Sequence, residues 1–261
     1  MQKTIVRYLS GQKFDWLLSD SGLYLSAAEN QSDPAEGVYD HALLSRHITE
    51  SVSDAGVVMP ASFEEHMLGL QKVNKKINFL SCWYLGSDES QEMWDEFGEN
   101  GVIVLSNDWA LQDALPRPLQ HATSFVEVIY SDELKPLAIN KPLQVKNKKF
   151  FKEKEFRIVF NLLQYSILTG FEAAVEIRDG EFLSHESEGV TSGISKEEME
   201  QSHKVIRRKG DGFVFNYSLS SIIKEVRVHP RATDEDLQKI GLRLKAAGIN
   251  CPISHSSLRE A

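Results

Sequence analysis

The stretch Ile77–Leu105, INFLSCWYLGSDESQEMWDEFGENGVIVL, reads in one pass as strand, turn, helix and strand. Ile77–Leu85 is dense in β-branched and aromatic residues, which suit a pleated, half-buried surface. Gly86-Ser87-Asp88 interrupts it, and the spacing predicts Asp88 as a helix N-cap with Gln91 at the capping-box position. The helix is expected to run to about Phe97. Glu99-Asn100-Gly101 then stops it before a second apolar strand, Val102–Leu105. Met93, Trp94 and Phe97 form the inward stripe, and Glu89 and Ser90 lie one turn earlier on that face. A carboxylate and a hydroxyl are thus expected to point toward the core, just past a strand end carrying Cys82 and Trp83. That describes either a buried polar site or a capped helix start.

Working outward, Thr4–Leu9 reads as a strand, Gln12–Asp20 as an amphipathic helix and Leu23–Ser26 as a second strand. Ala35–Val52 and Ser62–Val73 have helical patterns, the latter with a Ser62/Glu65 capping box. Trp109–Leu115 is expected to be a short helix and Ser124–Tyr130 an alternating strand. Leu134–Val145 holds two prolines and reads as an irregular loop or edge strand. Glu153–Phe160 splits by alternation: Lys154, Phe156, Ile158 and Phe160 on one face, Glu153, Glu155, Arg157 and Val159 on the other. Phe171–Ile177 and Glu181–Leu183 suggest a hairpin around Asp179-Gly180. The polar stretch 185–212 reads as a mobile insertion with one exposed helix, Lys196–Arg207, capped by Ser195 and Glu198. Phe213–Tyr217 and Glu225–Val228 are strands, and Asp234–Ala247 is a helix with Leu237, Ile240 and Leu244 inward and Gly248 as its stop. The fold class is α+β, a single mixed domain over 1–261 with a central, largely antiparallel sheet and flanking helices.

Composition narrows the function classes. The 261 residues are 41% hydrophobic and 26% charged, as in an ordinary globular protein. No apolar run approaches the ~18 residues needed to span a bilayer, and no signal-peptide pattern opens the chain. Two cysteines, Cys82 and Cys251, without CxxC or CxxH spacing, point to a reduced, cytoplasmic setting rather than a disulfide framework. The formal charge of −9 argues against broad nucleic-acid coating. His41, His47, His66, His121, His185, His203, His229 and His255 show no metal-ligand spacing, so no metal site is expected.

Two groups of residues carry possible chemistry. On the late strand, Glu153, Glu155 and Arg157 place two carboxylates and a guanidinium on one side. There they can orient a substrate or, more simply, form cross-strand ion pairs. At the helix start, Glu89 and Ser90 either join that site or serve the helix dipole. A phosphate at Gly86-Ser87 is disfavoured by Asp88 and Glu89. Trp83 and Trp94 read as core, with Trp83 the better candidate for contact with a ligand. Lys146, Lys148, Lys149, Lys152 and Lys154 form a basic run beside the candidate strand, where Lys149 in particular suits a phosphate.

Several of these pieces carry a resemblance. Cys82-Trp83, Glu89-Ser90, Met93-Trp94 and Gly101-Val102-Ile103 form one group. Leu23–Ser26, Asp33-Pro34, Glu36-Gly37, Val128–Tyr130, Phe151–Arg157 (FKEKEFR) and Val226–Pro230 extend it. Together they resemble the widespread bacterial domain-of-unknown-function family 2971 over nearly the whole chain. Ser32 and Phe97 stand where that family usually has Asn and Tyr. The resemblance implies a fold but no reaction.

Two functional readings follow. In the first, the chain is an enzyme on a nucleotide-like substrate. Arg7, Ser81 and Glu153-x-Glu155 occur in an order that resembles the Arg, Ser, Glu-x-Glu set of one class of ADP-ribosyltransferases, which implies NAD as a possible substrate. Glu155, Arg157 and Glu89 would then be the catalytic candidates, with Trp83, Ser90, Ser81, Arg7 and Lys149 binding substrate. In the second, the same cleft belongs to a noncatalytic module that binds a small ligand or a partner segment. The transferase requires Arg7, Ser81 and Glu155 to converge on one pocket; the module requires only a concave surface.

Overall fold

A strand whose residues are buried on both faces opens the chain: β1 (Thr4–Leu9). It leads through α1 (Gly11–Asp20) into β2 (Leu23–Ala27). The computed structural model describes residues 2–31, 73–132, 142–172, 174–178, 181–185 and 193–259. A helical turn at 73–77 leads into β3 (Asn78–Leu85), followed by α2 (Gln91–Phe97), β4 (Val102–Asn107), α3 (Asp108–Asp113) and α4 (Arg117–His121). Next come β5 (Thr123–Glu127), β6 (Ile129–Tyr130), β7 (Val145–Lys146), a 3-10 turn over Lys148–Glu153, and β8 (Glu155–Asn161). The helix α5 (Leu162–Thr169) precedes the hairpin β9 (Ala174–Arg178) and β10 (Glu181–His185). The chain finishes with α6 (Lys196–Val205), β11 (Ile206–Lys209), β12 (Gly212–Phe215), α7 (Leu219–Ile222), β13 (Glu225–Val228), α8 (Asp234–Ala246) and β14 (Ile253–His255).

Ten strands join in one sheet ordered β11-β12-β2-β3-β1-β4-β13-β14, with β8 on β3 and β5 on β8. Within this sheet every pairing is antiparallel except β13 with β14, which α8 connects as a parallel crossover; β6 and β7 form a separate parallel pair. The molecule is therefore a mixed α+β domain around a largely antiparallel sheet. Among the described residues no helix is long and apolar enough to cross a membrane.

The sheet forks at β3. Along one edge β3 pairs with β8 from Asn78 to Tyr84. Along the other, β2 pairs at Phe79 and Leu80, and β1 at Tyr84 and Leu85. Beyond these pairs, β2 turns away to β12 and β1 turns away to β4, so the two branches splay apart across the middle of β3. The α1 crossover spans the fork, since it joins the end of β1 to the start of β2. Gly101 permits the tight return at the far side of β1, where a Cβ would collide with the backbone of Leu9 and Ser10.

Alternation sorts the side chains of the sheet onto two covered faces. One face carries the larger core: Ile5, Leu9, Phe79, Trp83, Val102, Val104, Phe156, Ile158 and Phe160, roofed in part by Phe14 of α1, Leu111 of α3 and Leu244 of α8. The opposite face carries Val6, Tyr8, Tyr84, Ile103 and Leu105 under Trp94 of α2, and next to them Leu80 and Leu143. The run Val102–Leu105 is continuous because both of its faces are buried. Trp94 and Phe156 therefore belong to different cores on opposite sides of one sheet, and Met93 is only partly buried. The expected single core for these residues is thereby corrected.

Other expectations shift by a few residues for local reasons. Ser90, not Asp88, caps α2, its Oγ accepting from Met93 N at 3.4 Å. Ser90 is extended, and Glu89 just before it lies outside the helix with its carboxylate on the C-terminal serines. Strand β8 begins at Glu155, because Lys154 adopts a left-handed φ of 39° that ends the preceding 3-10 turn. Glu153 is thus not on the strand face it was predicted to share. The stretch 193–212 is built into the domain: α6 has the predicted Ser195/Glu198 capping box, its Ser202 is buried against Tyr165, and β11 forms a sheet edge. The helices expected over Ala35–Val52 and Ser62–Val73, save for Val73 itself, and His41, His47 and His66 lie outside the described residues.

Candidate functional site

The predicted site residues divide between the two faces of the sheet. Arg7, Ser81 and Trp83 leave the face of the larger core, as their neighbours Ile5, Phe79 and Phe156 do. Glu155 pairs with Tyr84, and Arg157 with Cys82, so both leave the opposite face. Glu89 and Ser90 also lie on that second side, beside Trp94 and Tyr8. The convergence that a transferase of the Arg, Ser, Glu-x-Glu kind requires is not formed, because paired residues of adjacent strands share a face and Glu155 has the wrong parity.

Each carboxylate on the second face already has its donors. Glu155 Oε2 accepts from Arg157 Nη2 at 2.7 Å and from Lys146 Nζ at 3.3 Å. Arg157 is fully buried, and its Nη1 donates to the Leu143 carbonyl at 2.6 Å. Lys146 Nζ also donates to Glu153 at 2.7 Å, and the Tyr130 hydroxyl accepts from Glu155 N at 2.7 Å. Burial works to raise the Glu155 pKa, but Arg157, Lys146 and Cys82 together hold it below the usual carboxylate range. Glu153 is raised by burial and by the nearby Glu155 and Glu96, against the pull of Lys146. The cluster ties β8 to the Leu143–Lys146 segment. Lys149 lies outside it, exposed on the 3-10 turn with its Nζ 4.7 Å from the Phe150 ring centre.

Glu89 is tied just as fully. Its side chain is buried and accepts from Trp94 Nε1 at 2.9 Å, Ser257 N at 2.8 Å, Ser257 Oγ at 3.0 Å, Arg227 Nη1 at 3.2 Å and Ser256 Oγ. Burial opposes ionisation, yet the serine and tryptophan donors hold its pKa low. Glu89 thus fastens the C-terminal segment to α2 and β13. Ser90 N donates to the Tyr8 hydroxyl at 2.9 Å, while burial raises Tyr8 to about 12.

Arg7 is the exception. It sits where β1 parts from β3, with its guanidinium carbon 5.9 Å from the centre of the Trp83 ring. Trp83 is itself fixed, its Nε1 donating to Ser81 Oγ at 3.1 Å. Among the described residues Arg7 has neither an ion pair nor a side-chain hydrogen bond. Burial lowers its pKa to about 10, and only Cys82 works to raise it. Lys13, on the first turn of α1, stands close enough that Arg7 lowers its pKa further after burial has done so. That first turn holds no acidic residue. Among the described residues no carboxylate pairs with Arg7, and Lys13 is exposed on the first turn of α1. Arg7, Ser81 and Trp83 were legible as candidates, and it is these three that the structure brings to one face of the sheet.

Among the described residues no group of His, Cys, Asp and Glu is arranged to hold a metal ion. No family model, curated protein or solved structure matches the chain.

Proposed function

We propose that this chain is a noncatalytic, cytoplasmic binding module for a small anionic ligand seated at the fork of the sheet, the ligand's negative group meeting Arg7. One observation carries the reading: Arg7 is half-buried with its guanidinium carbon 5.9 Å from the Trp83 ring centre, and it has no ion pair or side-chain hydrogen bond among the described residues. A half-buried charge without a counter-charge is unfavourable, and retained perturbed charges cluster at functional sites. A nucleotide-like anion satisfies this charge. Catalysis by Glu155, Arg157 and Glu89 is disfavoured, because their polar atoms are committed to internal pairs. The motif resemblance to the domain-of-unknown-function family belongs to the same proposal and lends it no reaction.

Thermal unfolding in the presence of inorganic phosphate, ATP or NAD tests it. A ligand at a hundredfold excess over its Kd stabilises the native state by about 2.7 kcal/mol. At least one of these anions is expected to raise Tm in the wild type and not in Arg7→Met. No shift with any of them, or an equal shift in the variant, would overturn the proposal. Incubation with NAD is expected to release no nicotinamide; release would restore the transferase reading.

A further inference from the structure

We infer that the chain has a second binding site, independent of the fork, for an α-amino acid with an aliphatic side chain. A cavity of about 360 Å³ lies where β13 ends, between the Asn100-Gly101 turn and α8. Its wall carries His229, Arg231 and Asp236 together with the apolar Val228, Ala232 and Ile240. The backbone under these residues is fixed. His229 N donates to the Gly101 carbonyl at 3.1 Å, and Thr233 and Asp236 close a capping box at the start of α8.

His229 supplies an oriented donor. Its half-buried ring sits edge-on to Trp94 with centres 5.1 Å apart, and its Nδ1 accepts from Arg231 N at 3.1 Å. That acceptance leaves the proton of a neutral imidazole on Nε2. Nε2 makes no hydrogen bond among the described residues, so its N–H is available to a ligand. Arg231 has neither an ion pair nor a side-chain hydrogen bond among the described residues. The other cations of the wall, Lys239 and Arg243, pair with Glu235 and Asp15. Asp236 accepts from the Thr233 amide and hydroxyl through Oδ2, and it too has no ion pair among the described residues. The cavity thus holds one unmatched positive and one unmatched negative charge. An anion alone would be repelled by Asp236, and a cation alone by Arg231. A zwitterion satisfies both: its carboxylate accepts from Arg231 and from His229 Nε2–H, and its ammonium donates to Asp236. Val228, Ala232 and Ile240 are left to meet an aliphatic side chain, and the volume admits a ligand of that size.

Isothermal titration with leucine, 4-methylpentanoate, 3-methylbutylamine and aspartate tests the inference. Leucine is expected to bind at least about tenfold more tightly than the acid lacking its ammonium, the amine lacking its carboxylate, or aspartate. In Arg231→Met the advantage of leucine over the amine should fall to near unity. In Asp236→Asn its advantage over the acid should do the same, while Asn keeps an acceptor for the Thr233 amide and so preserves the cap. Asp236→Glu should restore that advantage. His229→Phe keeps a ring on Trp94, removes the donor, and should weaken leucine by about three- to tenfold. Arg7→Met should leave leucine binding unchanged; its loss there would move the ligand to the fork and end the inference. No binding of leucine at ~10 mM, or equal binding of any of the other three compounds, would overturn it. Unchanged preferences in both Arg231→Met and Asp236→Asn would do so as well. The anion site at the fork stands or falls separately, on its own dependence on Arg7.

Discussion

The guanidinium of Arg7 lies over the ring of Trp83, on the face of β3 opposite the one that holds Glu155. Two parities fix this relationship. Trp83 shares its face with Phe156, its partner across the ladder, and Glu155 is one residue out of step. A half-buried cation on that face with no acidic partner among the described residues is a cost to the unliganded fold. Arg7→Met keeps an unbranched, adaptable chain over Trp83 and deletes the charge. Chemical denaturation of the ligand-free variant is expected to show unchanged stability or a gain of up to ~1 kcal/mol, as when unneeded buried charge is replaced by apolar volume. A loss of ~2 kcal/mol or more would mark Arg7 as a structural residue instead.

Glu155→Gln probes the other face. The substitution removes the negative charge that both Arg157 and Lys146 share, while both cations stay buried. Breaking a buried network from one side costs ~3–5 kcal/mol, well above the effect of an exposed pair. The expected outcome is a stability loss in that range with phosphate binding at the fork retained. Unaltered stability would mean that the pairs contribute nothing net, and loss of binding without loss of stability would return Glu155 to the ligand site.

Local pattern made most elements of the fold legible. The strand, helix and strand of Ile77–Leu105 appear as β3, α2 and β4, and β1 occupies the predicted Thr4–Leu9. The alternation along β8 places Phe156, Ile158 and Phe160 in one core, as expected. What alternation cannot say is how one strand's faces relate to another's. That depends on register, which a shift of one residue reverses. Trp83, Glu89, Ser90, Glu155 and Arg157 were therefore expected in a single cleft, although the pairing of Trp83 with Phe156 puts Trp83 on the far side of the sheet from Glu155. The fork was illegible for a related reason: it arises because β1 and β2 share one edge of β3, a contact between residues more than fifty positions apart. The tie between Glu89 and Ser256–Ser257 spans an even longer separation, which explains why Glu89 read as a helix-start residue.

Trp94 tests the smaller core. It is fully buried, stacks edge-on to Tyr8 with ring centres 5.3 Å apart, and donates to Glu89. Trp94→Ala is expected to cost ~3–5 kcal/mol through lost contacts and a residual cavity. Trp94→Phe keeps most of the volume but leaves Glu89 one donor short, so a smaller loss of ~1–3 kcal/mol is expected. Urea unfolding of both variants would measure the difference. Equal costs would mean that the indole N–H contributes little and that volume alone matters.

The last prediction concerns acid. Glu89 and Glu155 both ionise below the usual carboxylate range in the folded chain. The unfolded chain therefore binds their protons first as pH falls. The stability they supply is complete above the ordinary carboxylate pKa of about 4.3 and is lost as pH drops through their lower folded values. Glu153 acts in the opposite sense. Its folded pKa is raised, so the native state gains stability as pH falls through that raised value toward the ordinary one. Urea unfolding of the wild type is thus expected to show little change, or a slight rise, on approaching about pH 4.5, and a steady fall below it. Glu89→Gln removes one of the depressed carboxylates, so its stability should start lower by ~3 kcal/mol at pH 7 and fall less steeply in acid. Because Glu89 holds the Ser256–Ser257 segment, amide exchange in β14 should quicken in that variant ahead of exchange in β3. Parallel acid slopes for variant and wild type, with unchanged exchange in β14, would refute the role of Glu89 as the charge that fastens the C-terminal strand.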